Sequence, residues 1–247
     1  MFEKTEGIVL RATEYKDSDK LLTVLTRDLG KVTMKARGVN SRNSKLRAAC
    51  QLLTFSEFTV TEYQGRYVIT EAVSKEIFPE LQKDIELLSL ASYFAQVCDT
   101  VAQEADPMPE LLSLLLNALY ALSKLKKPQN MVKAVFELRT ACIAGFLPDL
   151  RGCIVCGRED PDRFNITQGV LQCASCRSED TDGIRMPVSA GVLTAMRYIC
   201  SADPKRLFSF QLSDASLVEM NQLTESYLTI RMERGFSALD FYKSLFL

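Results

Sequence analysis

Cys153-Ile154-Val155-Cys156-Gly157 and Cys173-Ala174-Ser175-Cys176 are two Cys-x-x-Cys knuckles, with sixteen residues between Cys156 and Cys173. This is the spacing of a four-thiolate zinc site: a tight knuckle presents two sulfurs to one ion, and two knuckles complete a tetrahedron. Gly157, directly after the second thiolate, lets the chain turn sharply at little steric cost. The chain has no histidine, so a metal bound here is held by Cys153, Cys156, Cys173 and Cys176 alone. Four protein ligands leave no position open to water, which makes the expected Zn2+ structural and not catalytic. A pair of disulfides or idle thiols is the competing reading, and the matched knuckles weigh against it.

Both flanks of this segment have helical period, so residues from about 149 to 187 read as an insertion within a helical domain. Upstream, Leu81, Ile85, Leu88, Ser92, Ala95 and Val101 mark one face of a helix from Pro79 to about Gln103. Asp106-Pro107-Met108-Pro109 breaks it, and Pro109 suits the first turn of a second helix, from Glu110 to Leu125. That helix is apolar nearly all round, which demands a central place in a bundle. Lys124, Lys126 and Lys127 close it, a favourable placement at a helix C-terminus. Pro128 opens a third helix through Val135, Phe136 and Cys142, ended by Gly145. After Pro187, Ser189 is a good N-cap for a helix to Cys200. A helix from Asp214 to Glu233, stopped by Gly235, and a short one from Ser237 to Phe246 complete the set.

Residues 1–78 alternate in the manner of strands. Gly7-Ile8-Val9-Leu10 opens the first. Residues 21–26 and 32–36 flank the hairpin loop Asp28-Leu29-Gly30, and residues 55–63 and 66–72 flank a turn at Gln64-Gly65. Five or so short antiparallel strands close as a small barrel, and the oligonucleotide-binding (OB) fold is one such solution. The expected class is therefore α+β multidomain: an antiparallel β-barrel over 1–78, then an all-α helical domain over 79–247 carrying the four-cysteine zinc-binding insertion.

Charge in the barrel segment is uneven. From Leu29 to Ser56 there is no acidic residue and there are six basic ones, Lys31, Lys35, Arg37, Arg42, Lys45 and Arg47. They surround residues 38–44, a polar stretch that reads as a mobile loop. Such a loop on a small barrel fits a phosphate backbone; the alternative is a merely solvated surface, and the enrichment is modest. Net charge is −1, so any basic surface is local.

The totals exclude several classes. Residues 1–6 contain no apolar h-region, so no signal peptide is expected. The longest apolar run, 111–122, holds Asn117 and is too short to span a bilayer. A cytoplasmic protein is expected, with reduced thiols. The remaining cysteines, Cys50, Cys98, Cys142 and Cys200, are isolated in apolar patterns and read as small buried hydrophobes. Without histidine there is no Ser-His-Asp or Cys-His pair, no His-bearing zinc protease motif and no zinc deaminase signature. No Walker-type phosphate loop or Gly-x-Gly-x-x-Gly is present. An enzyme is not expected.

Along its whole length the chain resembles the bacterial recombination mediator family RecO. The likeness runs through residues 5–10, Tyr15-Lys16-Asp17-Ser18-Asp19, Leu29-Gly30-Lys31, Ala36-Arg37-Gly38 and Ser44-Lys45-Leu46-Arg47. Its most specific part is Phe136-Glu137-Leu138-Arg139 followed by Gly145-Phe146-Leu147-Pro148-Asp149-Leu150, leading into the first knuckle. Gln168-Gly169 departs from the glycine pair frequent in the family and touches the loop, not the ligands. The resemblance implies an OB barrel, a helical domain and a zinc insertion. It implies a role in DNA recombination and repair (the RecF pathway): binding single- and double-stranded DNA, annealing complementary strands, and loading RecA onto DNA coated by single-strand-binding protein. The implied partners are DNA, RecR and the acidic C-terminal tail of single-strand-binding protein, in the bacterial cytoplasm at the nucleoid, with neither membrane nor small-molecule substrate.

Carried over by position, the DNA contacts are Lys31, Lys35, Arg37, Arg42, Lys45 and Arg47, with Arg11, Lys16, Lys20 and Arg66 as outer candidates. Lys133 and Arg139 are candidates for flanking an apolar groove that takes the acidic tail, with a buried, carboxylate-paired Arg139 the alternative. Two other readings stand beside this one. A zinc-stabilised helical scaffold would bind protein and not DNA. A thiol oxidoreductase would use the Cys-x-x-Cys pairs, but no thioredoxin-like βαβ pattern surrounds them.

Overall fold

The structure, a computed structural model, describes residues 2–63, 65–176 and 183–246. The barrel strands are β1 (Phe2–Tyr15), β2 (Asp19–Thr26), β3 (Lys31–Ala36), β4 (Phe55–Tyr63) and β5 (Arg66–Glu76). Four helices follow: α1 (Pro79–Gln82), α2 (Ile85–Val101), α3 (Pro109–Ser123) and α4 (Gln129–Ile143). The inserted strands are β6 (Asp149–Cys153), β7 (Arg163–Asn165), β8 (Val170–Gln172) and β9 (Arg185–Pro187). Helices α5 (Ala190–Ser201), α6 (Asp214–Met232) and α7 (Ser237–Ser244) close the chain. The residues group into two compact units, Met1–Lys124 with Phe236–Leu247, and Leu125–Gly235.

In the first unit the strands close into a barrel in the order β1-β2-β3-β5-β4. All pairs are antiparallel except β3 with β5, which run parallel and place Met34 opposite Tyr67. Strand β1, at 14 residues, is long enough to pair twice: Phe2 to Ile8 lie along β4 and Gly7 to Tyr15 along β2. It bends at a bulge between Val9 and Arg11. Gly7 sits where the two pairings overlap, and a Cβ there would come 2.8 Å from the Leu25 carbonyl oxygen. Alternate positions point inward, so Val9, Leu22, Val24, Met34, Phe58 and Val60 make the core. Of the expected turn at Gln64-Gly65, Gln64 lies outside the described residues.

Of the stretch expected to be a mobile loop, residues 38–44, Val39 is buried in the barrel core, the Gly38 N–H donates to the Asp19 carboxylate and the Asn40 N–H to the Ser18 carbonyl. Beyond residue 44, Cys50 is buried in the same core and Leu46 packs against it. The Val9 N–H donates to the Thr54 carbonyl and the Leu53 N–H to the Val9 carbonyl. Three apolar residues spaced among polar ones carry no period, which is why the anchoring was not legible.

The expected helix from Pro79 to Gln103 is two helices. The Asp84 carboxylate accepts the N–H groups of Glu86 and Leu87 at 2.9 and 3.2 Å and starts α2 afresh. The buried face of α2 then runs through Leu90, Ala91, Phe94, Val97 and Cys98, and Ile85 is exposed. Of the expected face, Leu81 and Ala95 are buried, Leu88, Ser92 and Val101 are half-buried and Ile85 is exposed, so it borders the buried face without coinciding with it. Residues 85–98 are apolar on several sides, so period alone did not select it. Within this unit Tyr93 meets Phe236 edge-on at 5.5 Å, joining α2 to the residue before α7. The apolar helix α3 buries Leu111, Leu112, Leu115, Ala118 and Leu119, as its composition requires.

In the second unit α4 packs on α6. The buried Lys133 ammonium lies 2.9 Å from Glu137 and 2.8 Å from Glu225, and the Thr224 hydroxyl donates to Glu137 at 2.8 Å. The inserted strands form a sheet in the order β6-β8-β7-β9, with β6 and β8 parallel. Strands of three to five residues are too short to show alternation, and the sequence reading held no sheet here. Helix α6 ends with Glu233 in the left-handed region at φ 53°, not at Gly235. Ser189 occupies the N-cap of α5 without a side-chain cap bond. Of the four cysteines read as buried, Cys50 and Cys98 are buried and Cys142 and Cys200 are half-buried.

Candidate functional site

The four knuckle cysteines converge. Cys153 ends β6; its carbonyl accepts the Gly157 N–H at 2.8 Å, and its N–H donates to the Arg158 carbonyl at 2.7 Å. Gly157 takes φ 74°, the left-handed conformation the turn requires. Cys173 follows β8, and the Cys176 N–H donates to its carbonyl at 3.1 Å, closing the second knuckle. The sheet brings the knuckles together, because the Ile154 N–H bonds the Leu171 carbonyl of β8. The four Sγ atoms lie within 4.8 Å of one another. Cys156 Sγ is 3.7 Å from Cys173 Sγ. A tetrahedral ion with sulfur at about 2.3 Å sets its ligands about 3.8 Å apart, so the group matches that edge and is positioned to bind a metal ion.

Electrostatics point the same way. Burial opposes ionisation of Cys153, but the N–H groups of Cys156, Val155 and Cys173 aim at its sulfur and bring its pKa down to about 6. Cys173 is pushed up to about 12 by burial and by the neighbouring sulfurs. Cys176 is raised first by its hydrogen bond with Cys156. Four sulfurs this close cannot all carry negative charge without a cation among them. Residues 177–182, the remainder of the insertion loop, lie outside the described residues.

The basic residues of the barrel divide by what they touch. Lys31 is 3.2 Å from Asp99 and largely covered. Lys35 is 3.0 Å from Asp19, with its ammonium 4.9 Å over the Tyr15 ring. Lys20 pairs with Glu14 at 3.2 Å, and Lys16 sits 5.7 Å from the Tyr15 ring centre. Arg11 bonds the Thr23 hydroxyl at 3.2 Å and lies 3.7 Å from Asp99, while staying 63% exposed. Arg37, Arg42, Lys45 and Arg66 are exposed and make no ion pair among the described residues. Arg47 is exposed and donates to the carbonyls of Asn40 and Ser41 at 2.8 and 2.9 Å, which orients it without cancelling its charge. The counter-ions Asp19 and Asp99 escaped the sequence reading. Asp99 is 68 positions from Lys31, and no local pattern could have paired them.

In the second unit, Lys133 is buried in its carboxylate pair and has no groove to flank. Arg139 donates to the carbonyls of Ile199 and Cys200 at 3.0 and 2.7 Å, so the end of α5 holds it and not a carboxylate. No helix among the described residues is long and apolar enough to cross a membrane.

The first 78 residues match the family model "Recombination protein O N terminal", and residues 82–240 match "Recombination protein O C terminal". Similar curated proteins carry the name DNA repair protein RecO. That of Acetivibrio thermocellus is 31% identical over 244 residues, covering 98% of this chain and 96% of its own. That of Caldicellulosiruptor bescii is 31% identical over 242 residues, covering 97% of each. That of Bacillus pumilus is 28% identical, covering 92% of this chain and 88% of its own. With the closed barrel, the helical remainder and the four-cysteine group in place, and both family models matched over nearly all its length, the chain belongs to the recombination protein O (RecO) family.

Proposed function

We propose that the chain is a non-enzymatic recombination mediator in DNA repair: it binds single- and double-stranded DNA, anneals complementary strands and helps load RecA onto DNA coated by single-strand-binding protein. The observation that carries this is a set of exposed, uncompensated cations, Arg37, Arg42, Lys45, Arg47 and Arg66, on a closed five-stranded barrel. Four of the five fall within residues 37–47. Guanidinium and ammonium groups without internal counter-ions are available to phosphate oxygens, and phosphate contacts hold a strand without reading its sequence. Annealing needs two mutually repelling strands held close while their bases stay free to pair, and backbone gripping meets that need with no covalent chemistry. Lys31 and Lys35 serve this reading as buttresses of the barrel and not as contacts.

Residues 1–78 form the DNA-binding barrel in this reading, and 79–247 the helical domain with its insertion at about 149–187. The four cysteines hold one structural Zn2+, which ties the two knuckles together and contributes no chemistry to a substrate. The acidic tail of single-strand-binding protein is assigned to an open groove of about 650 Å³ in the second unit, lined by Leu147, Pro148, Asp149, Leu150, Arg151 and Arg197, where Arg151 pairs with Asp149 and has to exchange that carboxylate for one of the tail. RecR is the second protein partner, and the setting is the bacterial cytoplasm at the nucleoid.

The test is fluorescence anisotropy with a labelled, unstructured oligonucleotide over a series of salt concentrations, paired with a strand-annealing assay. Binding that weakens steeply with salt, and annealing that follows it, is the expected result. No binding at low salt overturns the reading and leaves a zinc-stabilised helical scaffold whose partner is a protein.

A further inference from the structure

Two cysteines outside the metal group face each other. Cys142, next to last in α4, and Cys200, next to last in α5, have sulfurs 3.7 Å apart although 58 positions separate them in the chain. Both are half-buried, and Cys200 lines the open groove beside Leu147, Pro148 and Arg197. Arg139, one turn before Cys142 on α4, donates both to the Cys200 carbonyl and to that of Ile199, so a guanidinium fixes the end of α5 against α4 at the sulfur pair. The hydrogen bond with Cys200 lowers the pKa of Cys142 against the effect of burial, and Arg139 adds to the lowering. Cys50 and Cys98 are the contrast: burial pushes the first up to about 12 and the second higher, and each stands alone. Thiol reactivity follows thiolate character and access, and on both counts Cys142 exceeds the isolated cysteines; Cys200, whose pKa its hydrogen bond with Cys142 and burial push far up, stays a thiol beside it.

We propose that Cys142 and Cys200 are a redox-responsive dithiol that closes to a disulfide when the protein meets hydrogen peroxide. The Cys142 thiolate attacks the peroxide O–O bond, giving a sulfenic acid and, after uptake of one proton, one water. The Cys200 thiol then attacks that sulfur, forming the S–S bond and releasing the second water. Two electrons pass from the two sulfurs to the peroxide. The sulfurs have to approach from 3.7 Å to about 2.0 Å, a side-chain movement and not a refolding. The resulting cross-link brackets every residue of the cysteine insertion, since all four knuckle thiols lie between positions 142 and 200. A thiol reductant reverses it.

The sequence makes the test clean. Trypsin releases Cys142 in residues 140–151 and Cys200 in residues 198–205, each the sole cysteine of its peptide. The reduced, zinc-loaded full chain is treated with equimolar hydrogen peroxide, quenched with N-ethylmaleimide, digested without reductant and mapped by mass spectrometry, with zinc content followed in parallel. The expected result is a linked pair of these two peptides, lost on treatment with dithiothreitol, formed before any knuckle peptide loses alkylatable thiol and before zinc is released. In Cys200→Ser the sulfenic acid of Cys142 accumulates and is trapped by dimedone. Oxidation of the knuckle cysteines or of Cys50 ahead of the pair overturns the proposal, as does a parent with no link together with a Cys200→Ser variant that dimedone does not label.

Discussion

Replacing Arg37 and Lys45 together by alanine removes two exposed cations that have no internal counter-ion among the described residues. If both touch phosphate, each contributes about 0.7 to the slope of log affinity against log salt on single strands, so the double variant loses about 1.4 from that slope. Extrapolated from a 1 M reference, at about 0.1 M salt the same 1.4 decades make binding roughly 25-fold weaker, or about 2 kcal/mol. Neither residue is buried, so the melting temperature stays that of the parent. The informative companion is Lys35→Met with Asp19→Asn, which deletes a 3.0 Å ion pair without changing net charge. It leaves the salt slope where it was. Anisotropy titrations of the three proteins on one oligonucleotide, with thermal melts as a folding check, decide the matter. The reasoning is refuted if the Lys35/Asp19 variant loses as much slope as the Arg37/Lys45 variant, or if the latter loses none.

The other predictions concern the second unit. Cys156→Ser, or removal of metal with a strong chelator, abolishes stoichiometric zinc and destabilises the insertion, because the knuckles then hold close-set sulfurs with no cation between them; salt-dependent DNA binding by the barrel persists. Zinc content, melting and anisotropy check this, and a variant that retains one zinc per chain sinks the assignment. Lys133→Met strips the cation from Glu137, which is fully buried, and costs about 3–5 kcal/mol, lowering the melting temperature by about 10 °C. Burial opposes the Lys133 charge but its two carboxylates outweigh that and raise its pKa. The pair therefore stabilises the parent throughout the neutral range and is lost only as pH climbs beyond the ordinary lysine value of about 10.5. The deficit of Lys133→Met is greatest from neutral pH up to about 10.5, narrows above that as the parent's Lys133 loses its proton, and narrows in acid as the carboxylates take protons; a deficit that does not vary with pH speaks against the buried pair.

How far the sequence reached differs by element. The strands of the barrel were legible because alternation is a local property, and the inward positions of β3 and β4 follow the period of two directly. The four-cysteine group was legible for a similar reason: knuckle spacing is local, and the absence of histidine narrowed the ligand set to sulfur. Pro109, Pro128 and Gly145 marked helix ends through backbone constraints that need no partner. The α2 face was only partly legible because residues 85–98 are apolar on several sides, and the choice among them belongs to whatever packs there. Residues 38–44 looked mobile because Val39 stands alone among polar residues, with no period to mark it until the barrel supplies a core to enter.

By itself, then, the sequence determined the α+β class, the barrel strands, the helix-forming segments, the four-cysteine group and the family likeness, all of which rest on residue types at short separations. Tertiary structure decided what depends on distant partners. It closed the barrel through the parallel β3–β5 pair. It neutralised Lys31 with Asp99 and Lys35 with Asp19, separating the buttressing cations from the exposed ones. It buried Lys133 between two carboxylates and set Cys142 against Cys200. Charge and sulfur are read as isolated letters in a chain, but their effect is set by what stands within a few ångströms, and only folding brings those neighbours in.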